Sequence, residues 1–387
     1  MKVLLINNFN QNLVVGGVEN YLLELTQYSS KDKSIRFVWY GNDSKKVNWI
    51  QKFYNNKSTK EIKKLIDDFK PDVIHCFNIG STITPHFMRY AKNKNIPILY
   101  SFRDYYYICP KSYMLTCDGK IIKEHNSALE CIFYHHPKRN IVFDSLRYLK
   151  QQYHKKFLNK YVSYFLTPSD NLTDAVKKHF HLEGETLANP CLLDNSENIN
   201  TSASNHILFV GRIEPEKGLL TLLKAFKVVT QKFPNEKLVI AGEGKQMHFL
   251  KQFKQQHQLT QVEFVGHRNR EQLRTLYANA KFIVLPSEIL ESYGNTVLEA
   301  FSFSKTVIAS DLVGIKNQII NSNSGLIYTH NSAKALQKSM QKLIENESLR
   351  TELESNAYTY SKTQTMEKHF KNLILIYQKI IINSSNS

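Results

Sequence analysis

Short apolar runs recur along the chain, and most are followed by a stretch whose apolar positions return every third or fourth residue. Val3–Asn7, Arg36–Tyr40, Asp72–Phe77, Ile98–Phe102 and Phe165–Pro168 read as strands, because strands covered on both faces show near-continuous apolar runs. Glu19–Tyr28, behind the Gly16-Gly17 turn, reads as a helix, and Ser169-Asp170 opens another that runs to Lys178. The rhythm then restarts. His206–Val210, Lys237–Ala241, Val262–Val265, Phe282–Leu285, Thr306–Ala309 and Gly325–Tyr328 read as strands, with helices over Gly218–Thr230 and Lys245–Gln256. Two βαβ series predict an α/β protein with two Rossmann-like, doubly wound sheets. Such sheets take ligands beyond the carboxyl ends of their strands, so the expected site is a cleft between the two domains.

Three segments break the rhythm. Asp104–Lys138 is rich in Tyr, Cys, His and Pro and reads as a long functional loop. Residues 183–205 are polar and read as the linker, while Met366–Ile382 reads as an amphipathic tail helix. The expected domains are 1–188, 189–360 and a C-terminal helical segment, 361–387. Lys138–Tyr161 has its own pattern: Val142, Leu146, Leu149, Tyr153 and Phe157 make one helical face, with Arg139, Arg147, Lys150, Lys155, Lys156 and Lys160 elsewhere around it. Two readings of this helix stand: the apolar face packs on the first sheet with the lysines solvated, or the helix lies on an anionic bilayer.

Composition supports two folded domains, since 387 residues with 42% hydrophobic and 22% charged content exceed one ordinary core. The opening Met1–Ile6 is too short for a signal-peptide core, and no run reaches the roughly 18 apolar residues of a membrane span. A cytoplasmic protein, peripheral at most on the inner face of the plasma membrane, is expected. Cys76, Cys109, Cys117, Cys131 and Cys191 are odd in number and form no close pair, which reads as reduced thiols. With His125, His135 and His136 they match no zinc spacing, so no metal is assigned. Residues 1–182 hold 28 Lys+Arg against 15 Asp+Glu, whereas 183–387 hold 23 against 19. The basic first half attracts anions such as pyrophosphate compounds and acidic lipid.

The chemistry concentrates in the second half. Phe282–Leu285 runs through Pro286-Ser287 into Glu291-Ser-Tyr-Gly-Asn-Thr-Val-Leu-Glu299, a loop opening onto a helix near residue 295. A helix N-terminus offers unpaired amides and a positive dipole end to a diphosphate. Glu291 and Glu299 suit hydrogen bonding to two parts of one hydroxyl-rich ligand. A plainer reading makes Thr296-Val-Leu-Glu299 a capping box and Glu291 a solvated loop carboxylate. Upstream, Arg212 and Lys217 can stabilise a departing diphosphate, or else pair on the surface with Glu214 or Glu216.

The two glutamates in the setting Pro-Ser-x-x-x-Glu-x-Tyr-Gly-Asn-x-x-x-Glu-Ala resemble the signature of the retaining glycosyltransferase family 4, the glycosyl transferases of group 1. Phe209-Val-Gly-Arg212-Ile-Glu-Pro-Glu-Lys217-Gly218 is similar to that family's Gly-Arg and Lys-Gly element. Ala241-Gly-Glu-Gly244 and Val262-Glu-Phe-Val-Gly266 resemble its later glycine turns, and Gly16-Gly17-Val18-Glu19 its first-domain glycine loop. The resemblance covers nearly the whole chain and implies a GT-B fold with a C-terminal helix crossing back to the first domain. It implies a nucleotide-sugar donor, with UDP ahead of GDP, and no required cofactor or metal. Glu291, Arg212, Lys217 and Asp104 become the catalytic candidates. Gly16, Gly17, Gly211, Arg212, Lys217, Gly242, Gly266, His267, Tyr293, Gly294, Asn295, Thr296, Val297 and Glu299 become donor contacts, with Glu299 on the ribose and Glu291 on the sugar.

For the acceptor, Asp72-Val-Ile-His75-Cys-Phe-Asn78 and Tyr100-Ser-Phe-Arg103-Asp104-Tyr-Tyr-Tyr-Ile-Cys109-Pro110 follow strands in the first half. The second segment resembles a subgroup that carries histidine where this chain has Arg103. Asn78, Arg103 and Asp104 are the acceptor candidates, and His75 reads as structural. The expected reaction is glycosyl transfer with retention to a lipid-linked or otherwise anionic glycan, as in bacterial surface polysaccharide assembly. Two alternatives stand beside it: a sugar-nucleotide epimerase or hydrolase of the same fold, and a non-catalytic basic binding protein. No nucleic-acid-binding module is recognisable, so no nucleic-acid partner is expected.

Overall fold

The computed structural model describes residues 1–13, 16–43, 47–109, 114, 141–193 and 206–385. Cys117, Cys131, His125, His135 and His136 of the expected long loop lie outside these residues, as do Arg139 and linker residues 194–205. The chain divides into two compact units, Met1–Ala188 with Met366–Ser387, and Asn189–Thr365.

The first unit runs β1 (Lys2–Phe9), α1 (Gly17–Ser29), β2 (Arg36–Asn42), α2 (Trp49–Phe53), α3 (Asn56–Phe69), β3 (Val73–Cys76), α4 (Phe87–Asn93), β4 (Ile98–Ser101), α5 (Ile141–Tyr161), β5 (Tyr164–Thr167), α6 (Asp170–His179) and β6 (Gly184–Thr186). Its sheet has the order β2-β1-β3-β4-β5-β6, and every pairing is parallel. The central strands are fully covered: Val3, Leu4, Leu5, Ile6, Val73, Ile74, Ile98 and Leu99 are buried. β6 lies inside the segment expected to be linker. It is a three-residue edge strand without apolar character, so hydrophobic patterning does not reveal it; Gly184 fits because a Cβ there would lie 2.3 Å from the Phe165 ring.

The second unit runs β7 (His206–Val210), α7 (Leu219–Lys232), β8 (Leu238–Ala241), α8 (Met247–Gln256), β9 (Val262–Gly266), α9 (Arg270–Ala278), β10 (Ala280–Leu285), α10 (Asn295–Ser302), β11 (Val307–Ser310), α11 (Lys316–Asn321), β12 (Gly325–Tyr328), α12 (Ala333–Glu345) and α13 (Glu347–Ser361). Its parallel sheet has the order β12-β11-β10-β7-β8-β9. The connections reverse direction between β7 and β10, and that switch point opens a crevice at the strands' carboxyl ends. The core beneath it is apolar throughout, with Leu222, Phe226, Ile240, Phe282 and Val284 fully buried.

The last helix, α14 (Met366–Ser385), belongs to the first unit. Its buried face carries Phe370, Leu373, Tyr377 and Ile380. Phe370 meets Tyr28 and Phe37 edge-on, at 5.2 and 6.4 Å between ring centres. The Tyr377 hydroxyl lies 2.7 Å from His75 Nδ1, and the Tyr21 hydroxyl 2.8 Å from His369 Nε2. His75 is therefore a buried structural residue, with its Nε2 2.7 Å from the Ser101 hydroxyl.

Helix α5 corrects the reading that packs its apolar stripe on the sheet. The covered stripe is Lys150, Gln151, His154 and Leu158, while Val142, Leu146, Leu149 and Tyr153 face outward. The reason is backbone chemistry. Lys150 Nζ donates to Gly80 O (2.9 Å), Gln151 Nε2 to Tyr106 O (2.7 Å) and His154 Nε2 to Phe53 O (3.0 Å). Buried carbonyls in irregular segments need donors, and these side chains supply them. Burial lowers the Lys150 ammonium to about 8, with Arg147 and Lys52 adding to the effect.

Candidate active site

Two loops meet at the switch point of the second sheet. After β7 come Gly211, Arg212 and the buried Ile213, then a single 3-10 turn, Pro215–Lys217, that ends at Gly218 in the left-handed region (φ 68°). A Cβ on Gly218 would lie 1.8 Å from the carbonyl oxygen of Pro286, in the loop that follows β10. Glycine is thus required twice over, by its dihedral and by the approach of the other loop. The Glu288 amide donates to Glu216 O at 2.9 Å and ties the loops further.

This closeness brings Lys217 to Glu291. Lys217 Nζ lies 2.6 Å from Glu291 Oε1, with the side chains 21% and 13% exposed. Ser287 donates its hydroxyl to the same carboxylate oxygen. Burial raises the Glu291 carboxyl, but Lys217, the Ser287 hydroxyl and the Arg212 charge outweigh it and hold the group below the usual carboxylate range. The reading of Glu291 as a solvated loop carboxylate is therefore wrong. Arg212 differs: its side chain is 64% exposed, with Glu216 3.7 Å away, an ion pair of little energetic weight.

Helix α10 starts at Asn295 with Gly294 (φ 116°) as its cap. The capping box expected from Thr296 to Glu299 does not form. The carboxylate instead accepts a 2.7 Å hydrogen bond from the Tyr277 hydroxyl. Tyr277 is buried and stacks on Phe303 at 5.5 Å between ring centres. Burial pushes the Glu299 carboxyl up, while Tyr277 and Arg270 oppose the shift. Around the helix entry, Tyr293 and Val297 are buried and Thr296 half-buried; Asn295 Oδ1 accepts from Asn189 Nδ2 at 2.8 Å. Gly211, Gly242 and Gly266 stand at the carboxyl ends of β7, β8 and β9, linked by Gly211 N to Ala241 O (3.0 Å) and Gly242 N to Gly266 O (2.8 Å). His267, next in the chain, is exposed.

The first-unit candidates surround the ends of β1, β3 and β4. The Glu19 carboxylate accepts from the Gly16 amide (3.0 Å) and from Asn7 Nδ2 (2.7 Å), which fixes α1, beginning at Gly17, to the end of β1. Asn8 Oδ1 receives the amides of Ser81, Thr82 and Ile83 at 3.4, 3.1 and 3.2 Å, and its Nδ2 donates to Asn78 O. Asp104 takes the Tyr106 amide at 2.9 Å, an Asx turn, and burial pushes its carboxyl up. Arg103 places its guanidinium 4.4 Å from the Tyr21 ring centre and 5.6 Å from that of Phe77.

Ser287, Tyr277, Glu19 and Asn8 were not among the expected site residues. Ser287 and Glu19 lie within the quoted motifs and were within reach of the sequence. Tyr277 is 22 residues from Glu299, and nothing in the spacing marks it.

Residues 194–360 match the family model "Glycosyl transferases group 1". The chain is 30% identical over 175 residues, 44% of its length and 48% of the other's, to a Campylobacter jejuni protein named GalNAc-alpha-(1->4)-GalNAc-alpha-(1->3)-diNAcBac-PP-undecaprenol alpha-1,4-N-acetyl-D-galactosaminyltransferase. It spans half or less of the length of the curated relatives it matches. Among solved structures, sucrose-phosphate synthase from Thermosynechococcus elongatus is similar at a TM-score of 0.73, with 15% identity and 99% of both chains covered. Anabaena HepE, in complex with UDP, is similar at a TM-score of 0.69, with 13% identity and 98% and 100% covered. The fold is GT-B, and the second unit carries the similarity to glycosyl transferases of group 1.

Proposed function

We propose that this chain is a retaining, metal-independent glycosyltransferase of family 4. It moves a sugar from a nucleoside diphosphate sugar, UDP ahead of GDP, to a hydroxyl of a lipid-linked glycan in bacterial surface polysaccharide assembly. The observation that carries this reading is the buried Lys217–Glu291 pair, 2.6 Å apart, at the topological switch point of the second sheet. A carboxylate kept ionised by a neighbouring ammonium has no role in packing, but it suits a site that handles a hydroxyl-rich sugar and an anionic leaving group together.

In this reading the second unit binds the donor. The backbone around Tyr293–Val297 at the start of α10 carries the phosphate contacts, apart from the Val297 amide, which donates to Gly294 O at 2.9 Å. Lys217 and Arg212 neutralise the charge that grows on it as the glycosidic bond breaks. Glu291 orients the sugar through its hydroxyls, and Glu299, held by Tyr277, takes the ribose. Gly211, Gly242, Gly266 and His267 line the donor side, and Gly16 and Gly17 are the further donor contacts of this reading. Asn78, Arg103 and Asp104 serve the acceptor, whose proton passes to the leaving phosphate as the new bond forms on the same face.

The Campylobacter relative's name includes undecaprenol linked through PP, which supports a lipid-linked acceptor, and the HepE structure's UDP supports the donor class. A cytoplasmic site of action follows from the proposed donor. The test is thermal stabilisation by UDP-, GDP- and dTDP-sugars, followed by NMR assignment of the product's anomeric configuration. No stabilisation by any of them, or an inverted product, overturns the corresponding part of the reading.

A further inference from the structure

The outward stripe of α5 is the least ordinary surface in the first unit. Val142 (59% exposed), Leu146, Leu149 (57%) and Tyr153 follow one another at steps of four, three and four residues, so they share one helical face. At the same spacing the face continues into Lys156 and Lys160, both exposed. The inward face carries the buried Lys150, Gln151 and His154. This inverts the usual arrangement of a surface helix, in which apolar residues face the core.

The apolar stripe is not isolated. The Tyr153 hydroxyl lies 3.0 Å from His86 Nε2, and the His86 ring meets the Tyr54 ring edge-on at 4.5 Å. Tyr54 follows α2, whose Ile50 is 80% exposed and whose Trp49 is also exposed. Lys52 sits over the Trp49 ring at 5.3 Å, and Arg147 lies on α5 between Leu146 and Leu149 in sequence. One face of the first unit thus presents aliphatic and aromatic side chains among cations. No helix among the described residues is long and apolar enough to cross a membrane.

We infer that this face, built from α2 and α5, docks the protein on an anionic bilayer surface. Aliphatic side chains enter the boundary between headgroups and acyl chains, tyrosine and tryptophan sit at headgroup depth, and lysines meet acidic headgroups. Charge favours this occupant over a second copy of the chain. Two-fold self-pairing would bring two copies of the same cationic face, with its Arg147, Lys156 and Lys160, together. The wider field agrees, since residues 1–182 hold 28 Lys+Arg against 15 Asp+Glu. The inference does not depend on the transfer reaction, although it would bring the first unit to a lipid-linked acceptor.

The experiment is flotation of the full chain with liposomes of phosphatidylcholine alone and of phosphatidylcholine mixed with phosphatidylglycerol, using wild type, Leu149→Glu and Ile50→Glu. Both substitutions fall on exposed helix positions, and the circular dichroism spectrum checks the fold. Wild type is expected to float with the anionic liposomes and not with the neutral ones, and each variant to bind about tenfold more weakly. UDP-induced thermal stabilisation should match wild type in both variants, so failure of the docking face is separable from failure of the donor reading. Absence of binding to anionic liposomes, or undiminished binding by both folded variants, overturns the inference. So does a wild-type dimer in size-exclusion chromatography that either variant converts to monomer.

Discussion

Lys217 and Glu291, 74 residues apart in sequence, form a contact of 2.6 Å in which a mostly buried carboxylate is held by a mostly buried ammonium. Removing either partner leaves the other as an uncompensated charge in a partly desolvated site. Lys217→Met and Glu291→Gln should each lower kcat for sugar transfer by about a hundredfold or more, the scale seen when one preorganised electrostatic partner is lost. Steady-state kinetics with the donor identified by thermal shift would check this. Transfer by Glu291→Gln at the wild-type rate would remove the residue from the mechanism.

The same pair sets an acid limit. The folded-state carboxyl of Glu291 lies below its ordinary range. Its stabilisation is therefore present above the unfolded pKa of about 4.3 and is lost as the pH falls through the depressed folded value. In Lys217→Met the burial that raises the carboxyl is no longer outweighed, so the acid limb of the rate profile should move to higher pH. An unmoved limb would show that Lys217 does not control Glu291 ionisation.

Tyr277 acts on the proposed nucleotide site through Glu299, to which its hydroxyl donates at 2.7 Å. Tyr277→Phe preserves the ring stacked on Phe303 and removes the hydroxyl, which also hydrogen-bonds the Thr296 side chain. Calorimetric affinity for the nucleoside diphosphate should fall about three- to tenfold, the equivalent of one hydrogen bond. The melting temperature should change by only a few degrees at most. Unaltered affinity would confine Tyr277 to packing.

Backbone requirements separate the glycines of the motifs. Gly218→Ala sets a Cβ 1.8 Å from Pro286 O at a φ of 68° and should unfold the second unit or lower its melting temperature by about 10 °C or more. Gly16→Ala meets nothing closer than Glu19 Oε2 at 3.8 Å, at an extended φ of −168°. It should fold like wild type, so an activity loss there would report on ligand approach. Differential scanning fluorimetry of both variants distinguishes these outcomes.

Lys150 gives a second pH signature, of the same sign as that of Glu291 but in the alkaline range. Burial lowers its folded pKa to about 8, against about 10.4 in the unfolded chain. Between these values the unfolded state binds more protons, so stability should rise with pH, by roughly 3 kcal/mol if the whole shift is expressed. Measured melting temperatures of wild type relative to Lys150→Met should therefore rise between pH 8 and pH 10. A flat difference would mean that Lys150 keeps its charge on folding without cost.

Eleven of the twelve described strands, all but β6, were legible as local patterns. Buried parallel strands are written as local apolar runs such as Val3–Ile6 and Phe282–Leu285, and turn residues separate them. The sequence also located the loops after β7 and β10, because the Gly-Arg, Lys-Gly and Glu-x-Tyr-Gly-Asn elements are short and contiguous. It took the folded chain to pair Glu291 rather than leave it solvated, to bond Glu299 to Tyr277 rather than let it cap α10, and to add β6 to the first sheet. Those outcomes depend on groups brought together from distant parts of the chain. Helix α5 makes the reason plain. Periodicity identifies an apolar stripe on a helix, but which stripe is covered is set by the surroundings, and here the carbonyls of Phe53, Gly80 and Tyr106 draw polar side chains inward and leave the apolar ones outside.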